Sequence, residues 1–222
     1  MRTDLRSYEE RVYSQGGEDG VIRRIFERIG ITNRYFVEFG AWDGQHLSNT
    51  ANLRLHHGWS GLLLDCDGGR RDDSLVQPGV VTPENVNQVF AGHSVPRAFD
   101  LWSLDVDGHE YWIWQALDYR PRVVVIEYNI FFGLDVARTI AYQPNYEWDK
   151  SSYHGASLAA LVKLARAKGY ALVHTDSYTP NAFFIADEAL PSEWRDLTIE
   201  QVAAWRYEGV PTDTRERPWV RV

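Results

Sequence analysis

Two apolar periods alternate along this chain. Val21, Ile22, Ile25, Phe26 and Ile29 fall on one face of a helix across Gly17–Ile29. Tyr35–Gly40 is a short apolar strand, and Ser48–His57 reads as a helix capped by Ser48 and stopped by Gly58. Trp59–Asp65 is a second strand. Val80–Thr82 reads as a brief third one, followed by a turn of helix at Glu84–Phe90. Phe99–Val106 is the fourth strand, Glu110–Leu117 the helix after it, and Arg122–Tyr128 (RVVVIEY) the clearest buried strand. The segment Asn129–Tyr153 is long for a connection and suggests a lid or substrate loop. Ala156–Lys168 is an amphipathic helix stopped by Gly169, and Tyr170–Thr175 and Asn181–Ala186 form a closing hairpin. Strands alternating with helices predict an α/β domain: a mostly parallel sheet with helices on both faces. A core at about 13–186 would precede a tail, 187–222, holding one more helix at Ile199–Arg206. For that tail, an oligomer contact such as a homodimer interface and a cover over the sheet are both open.

Composition narrows the function classes. A chain of 222 residues is enough for one α/β domain and short for two. The formal net charge is −8 and no Lys or Arg run is present, which argues against a nucleic-acid partner. The most apolar stretch, Val123–Leu134, is too short for a membrane span and carries Glu127 and Asn129. Cys66 stands alone, so no internal disulfide is expected and a cytoplasmic, reducing setting is the default. Nine Trp are more than an ordinary core needs. Trp42, Trp102, Trp112, Trp114, Tyr128 and Trp148 are available as stacking surfaces for sugars or flat rings, although a core rich in large side chains explains most of them equally well.

Open α/β sheets bind ligands outside the carboxyl ends of their strands, so those ends carry the chemistry. The first strand runs into Glu38-Phe39-Gly40-Ala41-Trp42-Asp43-Gly44, whose glycines permit a tight turn and whose acids accept hydrogen bonds from an ammonium group. No GxGxxG and no phosphate-loop lysine is present, which disfavours a nucleotide with phosphates. Asp65 ends the second strand, where an acid grips the two hydroxyls of a ribose. The fourth strand ends in Asp105-Val106-Asp107-Gly108-His109 and the fifth in Glu127-Tyr128-Asn129. Alternate strand residues share a face, so the oxygens of Asp105, Asp107, Glu127 and Asn129 can converge on a hard cation such as Mg²⁺. Asp105 or Glu127 binding cofactor or capping a helix is the plainer alternative.

Nine segments, in order, together resemble a bacterial branch of the FkbM-type methyltransferases. They are YSQGGEDG (13–20), FVEFGAWDG (36–44), NTANL (49–53), GWSGLLLD (58–65), TPENV (82–86), LWSLDVDG (101–108), PRVVVIEYN (121–129), GASLAAL (155–161) and NAFF (181–184). The resemblance implies a Rossmann-like class I methyltransferase fold with a seven-stranded sheet, and S-adenosylmethionine (SAM) as methyl donor. It also implies an oxygen acceptor, often on a sugar or polyketide, with mycobacterial enzymes that methylate mannosides as one such group. Carried over by position, Gln15 lies near the cofactor. Glu38, Gly40 and Asp43 line its methionine end, Asp65 holds the ribose, and Asn85 and Val86 lie beside the adenine; Asp105, from its place at a strand end, is counted with the cofactor set as well as the cation set.

Two positions depart from the family pattern. His109 stands where a neutral polar residue is common, and His154 where an aromatic one is. They leave the acceptor open and point to a histidine taking the proton of the acceptor hydroxyl. Both lie just before expected helices, whose dipole disfavours imidazolium. His56, His57, His93 and His174 read as structural or solvated. The expected activity is metal-assisted O-methyl transfer to a small hydroxylated substrate, most naturally a sugar. An N- or natural-product methyltransferase without metal and a non-catalytic SAM-binding module remain as rivals.

Overall fold

The computed structural model describes residues 4–66 and 75–222; the single domain expected over 1–222 includes positions 1–3 and 67–74, which lie outside that range. Seven strands form one sheet in the order β3-β2-β1-β4-β5-β8-β7. These are β1 (Tyr35–Phe39), β2 (Ser60–Asp65), β3 (Val76–Pro78), β4 (Ala98–Leu104), β5 (Arg120–Glu127), β7 (Tyr170–Thr175) and β8 (Asn181–Ala186). The first five run parallel, and β8 inserts antiparallel between β5 and β7. This is the doubly wound, Rossmann-like α/β sheet that the sequence predicts.

Alternation along each strand decides which side chains reach which layer. Val37, Phe39, Trp102, Leu104, Val124 and Ile126 face α3 (Val86–Gly92), α4 (Glu110–Ala116) and α5 (Leu158–Ala167). Phe36, Leu63, Leu101, Val123 and Val125 face α1 (Glu18–Ile29) and α2 (Ala51–His56). Glu38, Ser103, Asp105 and Glu127 belong by parity to that second face. The strand order reverses between β1 and β4, and the β1–β4 crevice is where such sheets bind ligands.

Three sequence expectations are corrected. The third strand is Val76–Pro78, not Val80–Thr82: Leu63, Leu64 and Asp65 of β2 take Val76, Gln77 and Pro78 as partners, and Val80–Thr82 is left as loop. The second helix starts at Ala51, and Ser48 serves it from outside, its hydroxyl accepting the N–H of Thr50 and Ala51. The helix expected at Ile199–Arg206 is a single turn, α6 (Ile199–Val202), closed by a capping box from Thr198 and Gln201.

The tail folds back on the rest of the chain. Leu190 and Trp194 complete the α1/α2 layer, and Val202 and Ala203 join the opposite one. Its last strand, β9 (Trp219–Arg221), pairs antiparallel with β6 (Arg138–Ile140), which lies inside the segment expected to be a lid. Of the two roles open to the tail, covering is what it does in this chain.

The opposite, amino-terminal edge of the sheet is held by Asp100. Fully buried on β4, it accepts the backbone N–H of Thr32, Asn33 and Arg34 and pairs with Arg122 of β5 at 2.8 Å. Asp100→Ala leaves the guanidinium and the N–H groups without their acceptor. A loss of about 3–5 kcal/mol in urea denaturation is the expected outcome.

Candidate active site

A cavity of about 740 Å³ opens at the carboxyl ends of β1, β2 and β4. Gly40, Asp65, Asp105, Asp107 and His109 line its floor, and the stretch Pro144–Trp148 with Lys150 forms the opposite wall. Asp65 sits where the sequence places it. Its Oδ2 accepts the N–H of Trp42 at 2.8 Å, which fixes the carboxylate at the mouth of the β1 turn. Trp42 and Asp107 hold left-handed backbone, φ +48° and +59°, a conformation L-residues adopt rarely and mostly where function or packing demands it. A Cβ at Gly40 would collide with the Asp105 carbonyl oxygen, so the sheet itself requires glycine at this cavity-lining position.

Asp105 and Glu127 continue the β4–β5 register one step beyond Leu104–Ile126, on the same face. Ligand oxygens of Asp105, Asp107 and Glu127 lie within 4.8 Å of one another. Burial raises the pKa of all three, and their mutual repulsion adds to it for Asp105 and Glu127. The Asp105 and Glu127 carboxyls also share a hydrogen bond, the arrangement of two acids that hold one proton between them.

A fourth acid escaped the sequence reading. Glu110 opens α4 fully buried, and its Oε1 accepts the N–H of Val106 and Gly108, both at 2.9 Å, so it shapes the Asp105–His109 turn. Its Oε2 is buried with no hydrogen-bond partner, and its charge raises the pKa of Asp105 and Glu127. The available signal was an acid at the first position of the helix after the DG pair, which reads as ordinary dipole compensation.

Other expected site residues sit elsewhere. Gln15 is exposed and outside the cavity lining. Glu38 is 4% exposed and spends its carboxylate on the Ser48 and Thr50 hydroxyls and the Asn49 N–H, which anchors α2 to β1. Asp43 accepts the N–H of Gln45 and His46 within its own turn. Asn85 bonds the Thr82 N–H and the Val80 carbonyl, and so holds the cavity-lining stretch from behind. Val86 is core, packed under the sheet. Asn129 is withdrawn from the cation set: its Nδ2 donates to the Ser152 and His154 carbonyls and its Oδ1 accepts the Phe131 N–H. Among the proposed stacking residues, Trp148 lines the cavity, whereas Trp102, Trp114 and Tyr128 are buried core.

The two histidines separate. His109 caps α4 and lies between the rings of Tyr142 and Tyr146, at 4.9 and 5.1 Å. Its Nε2 receives only a long contact, 3.5 Å, from the Gln143 N–H. His154 is outside the lining, its ring against Trp148 at 5.3 Å, and the cap of the following helix is Ser157. Burial lowers both to about 4, so desolvation rather than a helix dipole keeps the rings neutral.

No family model matches the chain, and no curated protein does. Solved structures similar to it include two biosynthetic proteins. One is the pyocyanin biosynthetic protein PhzM, 18% identical, with 74% of this chain and 54% of that one covered and a TM-score of 0.35. The other is NcsB1, an O-methyltransferase from neocarzinostatin biosynthesis in complex with S-adenosyl-L-homocysteine and 1,4-dihydroxy-2-naphthoic acid. It is 17% identical, with 69% and 49% covered and a TM-score of 0.35. The chain spans about half the length of these structures. A likeness this distant carries no argument about the site. No helix among the described residues is long and apolar enough to cross a membrane.

The depressed His154 has a consequence for stability. Above the unfolded-state pKa of about 6.5 both states are neutral; below it the unfolded chain takes up a proton that the folded one refuses until about 4. Stability is therefore lost as pH falls from 6.5 toward 4. His154→Gln is expected to flatten this part of the pH–stability curve, as measured by thermal melts at half-unit intervals.

Proposed function

We propose that this chain is a SAM-dependent O-methyltransferase acting on a hydroxyl of a small substrate, with a pyranose sugar as the acceptor class. The observation that carries the reading is the charge of the cavity. Asp65, Asp105, Asp107 and Glu147 line it against a single Lys150 among the described residues, which hold no phosphate-cradling loop, at the switch point of a doubly wound sheet. A ligand with a sulfonium, an ammonium and a ribose diol suits that wall; a dinucleotide diphosphate does not. When bound, SAM supplies an electrophilic methyl group for in-line displacement by oxygen.

The chain's own residues account for the rest. Asp65, whose Oδ2 accepts the Trp42 N–H and whose Oδ1 accepts the Cys66 thiol, stands at the strand end where a carboxylate meets ribose hydroxyls. Trp148, its Nε1 donating to the Ser151 carbonyl, offers a ring face to the acceptor half of the cavity. His109 is neutral at working pH, its Nε2 barely engaged, and accepts the acceptor proton as the new bond forms.

Asp105, Asp107 and Glu127 fit a divalent cation: three hard oxygen donors in reach of one point, with a buried, unpartnered carboxylate oxygen on Glu110 behind them. A cation there lowers the pKa of a bound hydroxyl and orients it. The Asp105–Glu127 hydrogen bond favours a second, metal-free reading, in which a shared proton relieves the same repulsion.

Asp65→Ala is expected to weaken S-adenosyl-L-homocysteine by on the order of 1–3 kcal/mol in calorimetry, because two ribose hydroxyls lose their acceptor; unchanged affinity removes the ribose assignment. Dialysis against excess chelator should abolish methyl transfer to a pyranoside panel, and Mg²⁺ or Mn²⁺ should restore it. Full activity in chelator selects the metal-free reading. His109→Ala should lower turnover about 10²–10⁴-fold with cofactor affinity held, while His154→Ala stays near wild type.

A further inference from the structure

We propose that Arg217 is the positioning residue for the acceptor side of the cavity: it ties the wall formed by Pro144–Lys150 to the carboxyl-terminal segment and sets its closed position. The inference rests on the methyltransferase reading for the word acceptor, and on geometry alone for the clamp.

The wall has little to hold it in place by itself. Pro144, Asn145, Glu147, Trp148 and Lys150 are exposed. Tyr146 is the inward anchor. Its ring packs over Gly108, where a Cβ would collide with it, and beside His109, and its hydroxyl donates to the Tyr153 carbonyl at 2.5 Å. The position of Tyr146, and through it the setting of His109, therefore depends on Tyr153.

Tyr153 in turn depends on the tail. It is fully buried, its hydroxyl donates to the Pro218 carbonyl at 2.9 Å, and Trp219 packs on its ring at 4.7 Å. The Arg217 guanidinium lies 4.2 Å over the centre of the same ring. That guanidinium forks onto Asp213, Nε to Oδ2 at 2.9 Å and Nη2 to Oδ1 at 2.8 Å, which fixes it within the tail. It then reaches the wall: Nη1 to Asp149 at 3.1 Å and Nη2 to the Ser151 hydroxyl at 2.9 Å. Ser151 accepts the indole N–H of Trp148 through its carbonyl. One side chain thus touches the supports of both aromatic groups, Tyr146 and Trp148, that face the cavity. Exposed ion pairs contribute little, but this guanidinium is only 18% exposed and makes planar, two-pronged contacts that a lysine cannot copy. Arg215 adds a more exposed contact to Asp149 at 3.0 Å.

The test compares wild type, Arg217→Met, Arg217→Lys and Asp149→Asn by hydrogen exchange on the ligand-free protein, then by kinetics. Amides of residues 141–153 are expected to exchange at least about tenfold faster in Arg217→Met, with those of β1, β4 and β5 unchanged. Arg217→Lys and Asp149→Asn should fall between. With SAM as donor and methyl α-mannopyranoside as acceptor, the acceptor KM should rise about tenfold while the SAM KM stays within twofold. Exchange in 141–153 equal to wild type, faster exchange spread evenly over the sheet, or an acceptor KM within twofold of wild type overturns the proposal. Wild-type protein that neither binds SAM nor methylates the sugar defeats the functional reading instead, and the exchange measurement then decides the clamp by itself.

Discussion

Four carboxyl groups crowd the carboxyl ends of β4 and β5, and much of the neighbouring structure answers to them. Asp105, Asp107, Glu110 and Glu127 are brought together by strand register and by the first turn of α4, in surroundings that resist charge. Like charges that close cannot all ionise without a proton or a cation between them. A shared hydrogen bond eases one pair, and backbone N–H groups of the β4–α4 turn take one oxygen of Glu110. The fold keeps this arrangement although apolar side chains would pack there at lower cost, and such costs concentrate where proteins do chemistry.

Two further features follow from the same crowding. The turn that presents Asp107 needs left-handed backbone at that residue, and Glu110 holds the turn closed from below. The wall above it sets Tyr146 against Gly108 and Trp148 beside the cavity, with Glu147 and Lys150 between and after them, and His109 lies half-buried between two tyrosine rings. An acidic floor under a largely aromatic roof is the arrangement on which the proposed function rests.

The sheet was legible in the sequence because its signals are local. Val124 and Ile126 alternate with Val123 and Val125 onto opposite layers, and the hairpin of β7 and β8 follows from two apolar runs around a polar turn. Val76–Pro78 was not legible, since three residues have no period and the strand exists through its pairing with β2. Asp65, Asp105 and Glu127 could be placed together at one edge because strand ends are predictable. Glu38 was misread because its partners, Ser48, Asn49 and Thr50, are the residues that cap α2, a use of an acid that a motif does not distinguish from ligand binding. Asn129 looked like a ligand by parity, yet parity says nothing about which backbone groups a side chain will meet. Arg217 carried no signal, because its partners Asp149, Ser151 and Tyr153 lie more than sixty positions upstream in a segment without period.

The pairing of β6 with β9 has a consequence for the order in which the molecule is made. Residues 138–140 emerge from the ribosome long before their partners 219–221, and the whole α5–β7–β8 unit is synthesised in between. The sheet and its acidic edge can therefore assemble during translation, while the roof over the cavity waits for the last strand. For those seconds the nascent chain holds a wide, uncovered cleft lined with acids and aromatic rings. A chain cut short before residue 217 would keep the residues of its sheet yet lack both β9 and the guanidinium that tie the wall over the cavity.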